Sequence, residues 1–291
     1  MFATFSRSWD IAKLSFRVMR EDKELLLFPV FASVFSLLFI LVMVFPVFVT
    51  ALLPEETRGL LQLPVLFIVY LGLSFIATFF SVCVVFTTKK RFEGGNATFS
   101  ESLSFALSKV HLILAWSLVS ATVGIILRLI ENAAERSRND IVAMLGRVVS
   151  GILGLIWSVI TVFVVPAMVY YDVSPFEAIK RSVAAIKKTW GESLVRHYGF
   201  GMVQALFVIA GIVATLVLAY VGAMAHPILG LFLAGLGVLY LIAVVVVFSL
   251  ANSIFNTALF VYAETGKVPG AFEQEMLANA FTPRPGRTHG I

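Results

Sequence analysis

Between His197 and Ala263 the chain contains no Asp, Glu, Lys or Arg. One membrane crossing takes about 20 apolar residues, so this run is too long for a single crossing and too apolar for a soluble core. It reads as two crossings, joined where His226-Pro227 marks a tight turn. The inference extends to the whole chain, because 59% of its residues are hydrophobic and 13% charged, against about 25% charged in soluble domains. In hydrocarbon each backbone N–H and C=O needs a partner, which leaves helices or closed barrels. Continuous rather than alternating apolar runs select helices. The expected fold is an all-α integral membrane protein.

The stretch Thr161–Glu192 shows how crossings are connected. One helix stops at Tyr171-Asp172 and another starts: Ser174 suits the cap, Pro175 the first turn, and Glu177 completes an S-x-x-E capping box. Phe176, Ile179, Val183, Ile186 and Trp190 then share one helical face, with Glu177, Lys180, Arg181, Lys187 and Lys188 opposite. A basic amphipathic helix with an aromatic-rich apolar side lies in the membrane–water interface; we call it an elbow. Lys180, Arg181, Lys187, Lys188 and Trp190 are its expected contacts with anionic phospholipids.

Taken in order, the chain uses this unit three times. Residues 1–24 form an elbow with Phe2, Phe5, Trp9, Ala12, Phe16 and Met19 on one stripe, followed by a span at 25–53. With no small-residue cleavage site this is a retained span rather than a signal peptide, and Pro46 is expected to kink it. The acidic loop 54–59 leads to a span at 64–88, which Lys89-Lys90-Arg91 stops. A second elbow occupies 98–110, opened by Thr98-Phe99-Ser100-Glu101, with spans at 112–130 and 141–171 after it. The third elbow, 175–190, precedes spans at 198–223 and 228–263; a short helix at 271–281 and a disordered tail at 282–291 close the chain. The expected architecture is one membrane domain over 1–281, with six transmembrane helices as three hairpins, each preceded by a cytoplasmic interfacial helix. Small residues recur every fourth position at Gly146, Ser150, Gly154 and Ser158, and at Gly211, Thr215, Ala219 and Ala223. Such stripes let helices approach closely in lipid.

Charge placement sets the expected orientation. Of the 22 Lys and Arg residues, 17 fall in the termini and elbow loops and 5 (Arg58, Arg128, Arg136, Arg138 and Arg147) on the other side. By the positive-inside rule both termini face the cytoplasm of a bacterial or archaeal inner membrane. The net charge of +5 is thereby assigned to topology and headgroup attraction, with no nucleic-acid partner. The single cysteine, Cys83, excludes an internal disulfide and a thiol metal cluster.

The motifs of catalysis are missing: no nucleophile–base pair, no H-E-x-x-H, no phosphate-cradling glycine loop. We therefore expect no enzyme activity, no cofactor and no metal. Two polar features stand out. Arg128 and Arg147 lie within helix ends, where a charge calls for a partner, water or an anion pathway. Asn252 and Asn256, with Ser249 and Ser253, line the last helix, where they serve either as interhelical glue or as part of a pathway.

The chain resembles a family of uncharacterised bacterial and archaeal six-span membrane proteins. The likeness rests on Ser8-Trp9 with Arg20-Glu-Asp-Lys-Glu-Leu-Leu-Leu-Phe-Pro29, on Val164-Val-Pro166 leading into Pro175-Phe-Glu-Ala-Ile-Lys-Arg-Ser182 and Thr189-Trp-Gly191, and on Ala258-Leu-Phe-Val-Tyr-Ala263 with Thr265-Gly266. More loosely it is similar to the membrane domain of some glycerophosphodiester phosphodiesterases, which is non-catalytic. The resemblance implies the fold and no activity. The expected function is a non-enzymatic scaffold or membrane-organising component acting with the bilayer, as a homo-oligomer or with a membrane-protein partner. The alternatives are a channel or transporter for a small anionic solute and a lipid-binding protein.

Overall fold

The computed structural model describes residues 22–135, 140–189 and 200–269. The first elbow up to residue 21, Trp190, the helix at 271–281 and the tail at 282–291 lie outside the described residues. Among the described residues the chain is all-helical. Six helices are long and apolar enough to cross a membrane: Glu24–Leu52, Glu55–Phe92, Val110–Ala134, Met144–Tyr171, Gln204–Ala225 and Pro227–Thr265. We number the helices α1 (Leu27–Leu52), α2 (Glu55–Phe92), α3 (Phe99–Ser108), α4 (Val110–Glu135), α5 (Asp140–Ile160), α6 (Val164–Tyr171), α7 (Pro175–Thr189), α8 (Phe200–Ala225) and α9 (Pro227–Thr265). A 3₁₀ turn, Lys23–Leu26, precedes α1. The chain divides into two compact units, residues 30–185 and residues 1–29 with 186–291.

In the unit containing α8 and α9, small residues set the packing. A methyl group built on Gly237 would collide with Thr215, and one on Gly230 would meet Ala223 and the carbonyl of Ala219. Three members of the expected α8 stripe thus face α9 at van der Waals distance, the close approach that apolar helices in lipid depend on. His226 caps α9, its Nδ1 accepting the Ile228 N–H at 3.2 Å, and Pro227 takes the first helical position, where its missing N–H costs nothing. Gly266, at φ 70°, ends the helix in the left-handed conformation that glycine adopts without a Cβ penalty. Burial in α9 concentrates in its second half, from Phe248 to Ala263.

The other unit is built around α2, which packs on α3, α4 and α6, while α4 also packs on α5. Its first turn begins at Glu55, so the expected loop 54–59 is helical from its second residue. The two carboxylates of Glu55 and Glu56 sit in that first turn, where they complement the positive end of the helix dipole. α1 and α2 meet through rings rather than close backbones. Phe31 stacks on Phe80 with ring centroids 6.4 Å apart, and the ring of Phe39 fills the space over Gly72. An apolar cavity of about 420 Å³ remains between α1, α2 and α3. On the other side Trp116 of α4 stacks on Trp157 of α5 at 5.8 Å, and Gly146 admits Ala134.

The expected helix 141–171 is interrupted, at Thr161–Phe163, into α5 and α6. Pro166 explains the break. It has no N–H to offer the carbonyl of Val162, and its ring would strike that carbonyl in a continuous helix. The chain tightens instead into i→i−3 bonds, Val162 N to Val159 O at 3.2 Å and Val164 N to Thr161 O at 3.0 Å.

Candidate functional site

The short helices α3 and α7 follow the ends of α2 and α6, and both begin with a residue pattern that favours a new helix. At α3 the capping box forms in full. Thr98 Oγ1 accepts the Glu101 N–H at 3.2 Å, and Glu101 Oε2 accepts the Thr98 N–H at 2.8 Å. At α7 Glu177 turns to cations of its own helix, 3.8 Å from Lys180 Nζ and 3.7 Å from Arg181 Nε.

Counted from the first helical residue, the two helices share a construction. The fourth and eighth positions are Ser102 and Ala106 in α3, Ala178 and Ser182 in α7, and all four are fully buried. Each pair supplies one hydroxyl. Ser102 Oγ lies 2.7 Å from Thr87 Oγ1, whose own proton goes to the Cys83 carbonyl at 3.0 Å, so Ser102 donates. Ser182 Oγ accepts the backbone N–H of Phe163 at 3.2 Å, the amide stranded by the break before Pro166. The seventh positions also correspond. Phe105 stacks on Phe86 with centroids 4.2 Å apart, and the Arg181 guanidinium lies 4.3 Å from the centre of the Tyr171 ring. The fifth and ninth positions are apolar in both: Leu103 and Leu107, Ile179 and Val183. Leu107 and Phe176 are exposed on this side.

α3 bridges the unit. Phe99 at its start lies 5.4 Å from Phe31 of α1, centroid to centroid. Lys109 at its end donates to Asp172 Oδ2 at 2.6 Å, where α6 turns into α7. Asp172 is, among the described residues, the one non-glycine with positive φ, at 55°. The left-handed conformation is cheap for Asp and reverses the chain after α6. Three cations from three elements then converge on three successive residues: Lys89 Nζ 4.7 Å from the Tyr170 ring centre, Arg181 over Tyr171, and Lys109 on Asp172. Arg181 Nε is buried and has no hydrogen-bond acceptor, since Glu177 at 3.7 Å is within Coulombic but not hydrogen-bonding reach.

The residues singled out from sequence scatter. Lys180, Lys187 and Lys188 are exposed on α7, Lys188 reaching the carbonyl of Glu264 at 3.4 Å; Arg181 is drawn inward to Tyr171. Arg128 pairs with Glu131 one turn on at 3.0 Å, on an exposed surface, and Arg147 is exposed on α5. Asn252 and Asn256 are half-buried in α9, in the other unit from Arg128 and Arg147. Among the described residues no three His, Cys, Asp or Glu side chains gather as metal ligands. Sequence reasoning missed Ser102, Ser182, Lys109 and Asp172. Superposing the two helix starts, Thr98-x-x-Glu101 and Ser174-x-x-Glu177, by helix position instead of by apolar face would have exposed the exchanged Ser/Ala pair.

An all-helical chain with six helices of membrane-crossing length and hydropathy is a multi-pass membrane protein. It belongs to DUF6159, a family of unknown function, whose model matches residues 60–270. No curated protein matches the chain.

Proposed function

We propose that this is a non-enzymatic, membrane-organising protein of a bacterial or archaeal inner membrane, with both termini cytoplasmic and its working surface at the cytoplasmic interface. The observation that carries this reading is the shared construction of α3 and α7. Each sets a fully buried Ser/Ala pair inward, is tied down by that serine hydroxyl, and keeps an apolar edge (Leu103 and Leu107, or Phe176, Ile179 and Val183) beside polar or cationic residues. Such an edge is what an interfacial helix sets into the headgroup boundary. A helix fixed to its spans imposes a defined depth on the lipids or protein partner around it. In this reading the six helices form three hairpins, and the bias of 17 in 22 Lys and Arg residues sets their orientation. The non-catalytic character of the phosphodiesterase membrane domain, which the chain loosely resembles, agrees with it. The channel alternative draws less support, because Arg128 already has a carboxylate partner.

The test is labelling in intact cells, in a Cys83→Ser background. With Arg136→Cys, an impermeant thiol reagent should react from outside; with Lys187→Cys, it should not. A spin label at Leu107→Cys or Phe176→Cys should be accessible to oxygen, and one at Lys180→Cys to a water-soluble nickel chelate. Inverted labelling, or water exposure of both apolar positions, would refute the reading.

A further inference from the structure

The corner at Tyr170–Asp172 has the makings of a ligand site, which follows from its unused donors. The ammonium of Lys109 has three protons, and Asp172 takes one. Lys89 stands over the face of Tyr170, a contact that holds a cation in place without consuming its hydrogen-bonding capacity. Arg181 lies flat on Tyr171, which fixes its plane, and its buried Nε–H has no acceptor. A buried donor left without an acceptor is rare enough to need an explanation. Asp172 and Glu177 do not balance the charge. The segments 86–93, 108–111 and 170–182 hold Lys89, Lys90, Arg91, Lys109, Lys180 and Arg181 against Glu93, Asp172 and Glu177, a surplus of three positive charges. Its three cations come from the last turn of α2, the end of α3 and the second turn of α7. Two helices long enough to cross a bilayer, Glu55–Phe92 and Met144–Tyr171, end at this corner, the depth at which phosphate groups of lipids are found.

The geometry points to a binding site for the phosphate of an anionic phospholipid, held by Lys89, Lys109 and Arg181 over the Tyr170–Asp172 corner. A phosphodiester oxygen accepts from the partly exposed Arg181 guanidinium and from the free protons of the two ammonium groups, the charge-assisted arrangement that is stronger than a neutral hydrogen bond. Rings under two of the three cations keep them from collapsing onto carboxylates when the site is empty of ligand. The site differs from the exposed lysines of α7. Lys180 and Lys187 attract any anionic surface, whereas the corner fixes one headgroup. This inference rests on the proposed interfacial role and names the lipid chemistry it uses.

The experiment is native mass spectrometry of the purified full chain in detergent, titrated with dioctanoyl phosphatidylglycerol and, separately, with dioctanoyl phosphatidylcholine and with glycerol phosphate. The protein should retain one phosphatidylglycerol in preference to phosphatidylcholine. Lys89→Gln with Arg181→Gln should weaken that binding by about tenfold or more, the loss expected of two near-surface cations. Lys180→Gln with Lys187→Gln removes the same charge from the exposed side and should leave it within about twofold. Lys89→Arg with Arg181→Lys keeps the charge and should largely keep the lipid, which separates lost binding from lost folding. Equal losses in the two neutralised pairs, or unchanged binding in the corner pair, would overturn the site. Glycerol phosphate binding as tightly as the lipid would overturn the lipid assignment in favour of a soluble phosphate. A reversed labelling pattern at residues 136 and 187 would refute the proposed orientation while leaving these affinities as measured, so the two failures are distinguishable.

Discussion

In α3 the anchoring hydroxyl comes from the fourth residue, Ser102, and meets the hydroxyl of Thr87; in α7 it comes from the eighth, Ser182, and meets the amide of Phe163. Thr87 has a second partner in the Cys83 carbonyl, so its proton is satisfied whether or not Ser102 is there. Phe163 is in the opposite position. The carbonyl a regular helix would give it, that of Val159, is taken by Val162, and the residue is completely buried. Two helices of the same design therefore do different work: α3 is laid across an intact helix, and α7 completes a broken one. A small residue at a buried helix position says only that something approaches closely there; the cost of changing it depends on what the neighbour can do without it.

The largest effect should come from Ser182→Leu. It takes the serine hydroxyl from the buried Phe163 amide, costing about 1–3 kcal/mol, and forces three extra carbons into a closed site, costing about 1–3 kcal/mol more. Thermal unfolding in detergent, followed by tryptophan emission, should show a large drop in midpoint. A midpoint near that of the parent would mean that α7 is free to swing away, and the likeness to α3 would lose its meaning. Replacing each serine by alanine sharpens the comparison. Ser182→Ala should cost about 1–3 kcal/mol because the buried Phe163 amide loses the serine hydroxyl, and Ser102→Ala about 0.5–1.5 kcal/mol because the Thr87 proton keeps the Cys83 carbonyl. The order matters more than the values. A larger loss at Ser102 would place the structural weight on α3 and refute the reading of Phe163.

The starts of the two helices offer a smaller effect. Thr98 and Glu101 exchange two bonds across the first turn of α3, so Thr98→Ala should cost about 1 kcal/mol, within the range of N-cap losses. At α7 Glu177 is turned toward Lys180 and Arg181, and Ser174→Ala should cost less. Equal losses would show that the S-x-x-E pattern caps α7 in solution as well.

Much of this was legible in the residues, and the reasons for the rest are specific. Apolar runs separated by charged loops, and the last two by His226-Pro227, reveal six helices because hydrocarbon leaves the backbone no alternative. The stripe Thr215, Ala219 and Ala223 correctly marked a close contact, since nothing but small side chains fits there. The stripe on α5 was less informative. A methyl group on Gly146 would strike Ala134, whereas one on Gly154 would make an ordinary contact with Leu127 at 3.8 Å; identical residues at identical spacing do not reveal which of them has a neighbour. The break before Pro166 was legible in principle, because proline forbids the bond to Val162, but apolar residues on both sides hid it. The corner at Tyr170–Asp172 was not legible. Lys89, Lys109 and Arg181 are brought together from three elements across 93 positions of sequence, and no spacing rule reaches that far. Reading α7 as two faces, apolar and cationic, also missed the third. Ala178, Ser182 and Ala185 are as buried as any residues in the protein, and small residues contribute little to an apolar stripe.

The smallest predicted effect concerns the ion pair that joins α3 to the corner, and it asks whether the two helices are coupled. Lys109 and Asp172 meet at 2.6 Å, but their side chains are 24% and 58% exposed. An exposed pair contributes about 0.2–1 kcal/mol, because water screens the attraction and holding a long side chain costs entropy. A double-mutant cycle with Lys109→Gln, Asp172→Asn and the combination, read by thermal unfolding in uncharged detergent, should give a coupling in that range. Raising the salt concentration should reduce it, since the Debye length falls from about 10 Å at 0.1 M to about 3 Å at 1 M. A coupling well above 1 kcal/mol that persists in high salt would mean that the pair is shielded from water and works as a fixed strut between α3 and α7. The two helices would then move as one body, and Ser102→Ala would be expected to disturb the Phe163–Ser182 bond it does not touch. A coupling within the surface range keeps them independent, each held by its own serine, with Lys109 free to trade part of its bond to Asp172 for a phosphate oxygen.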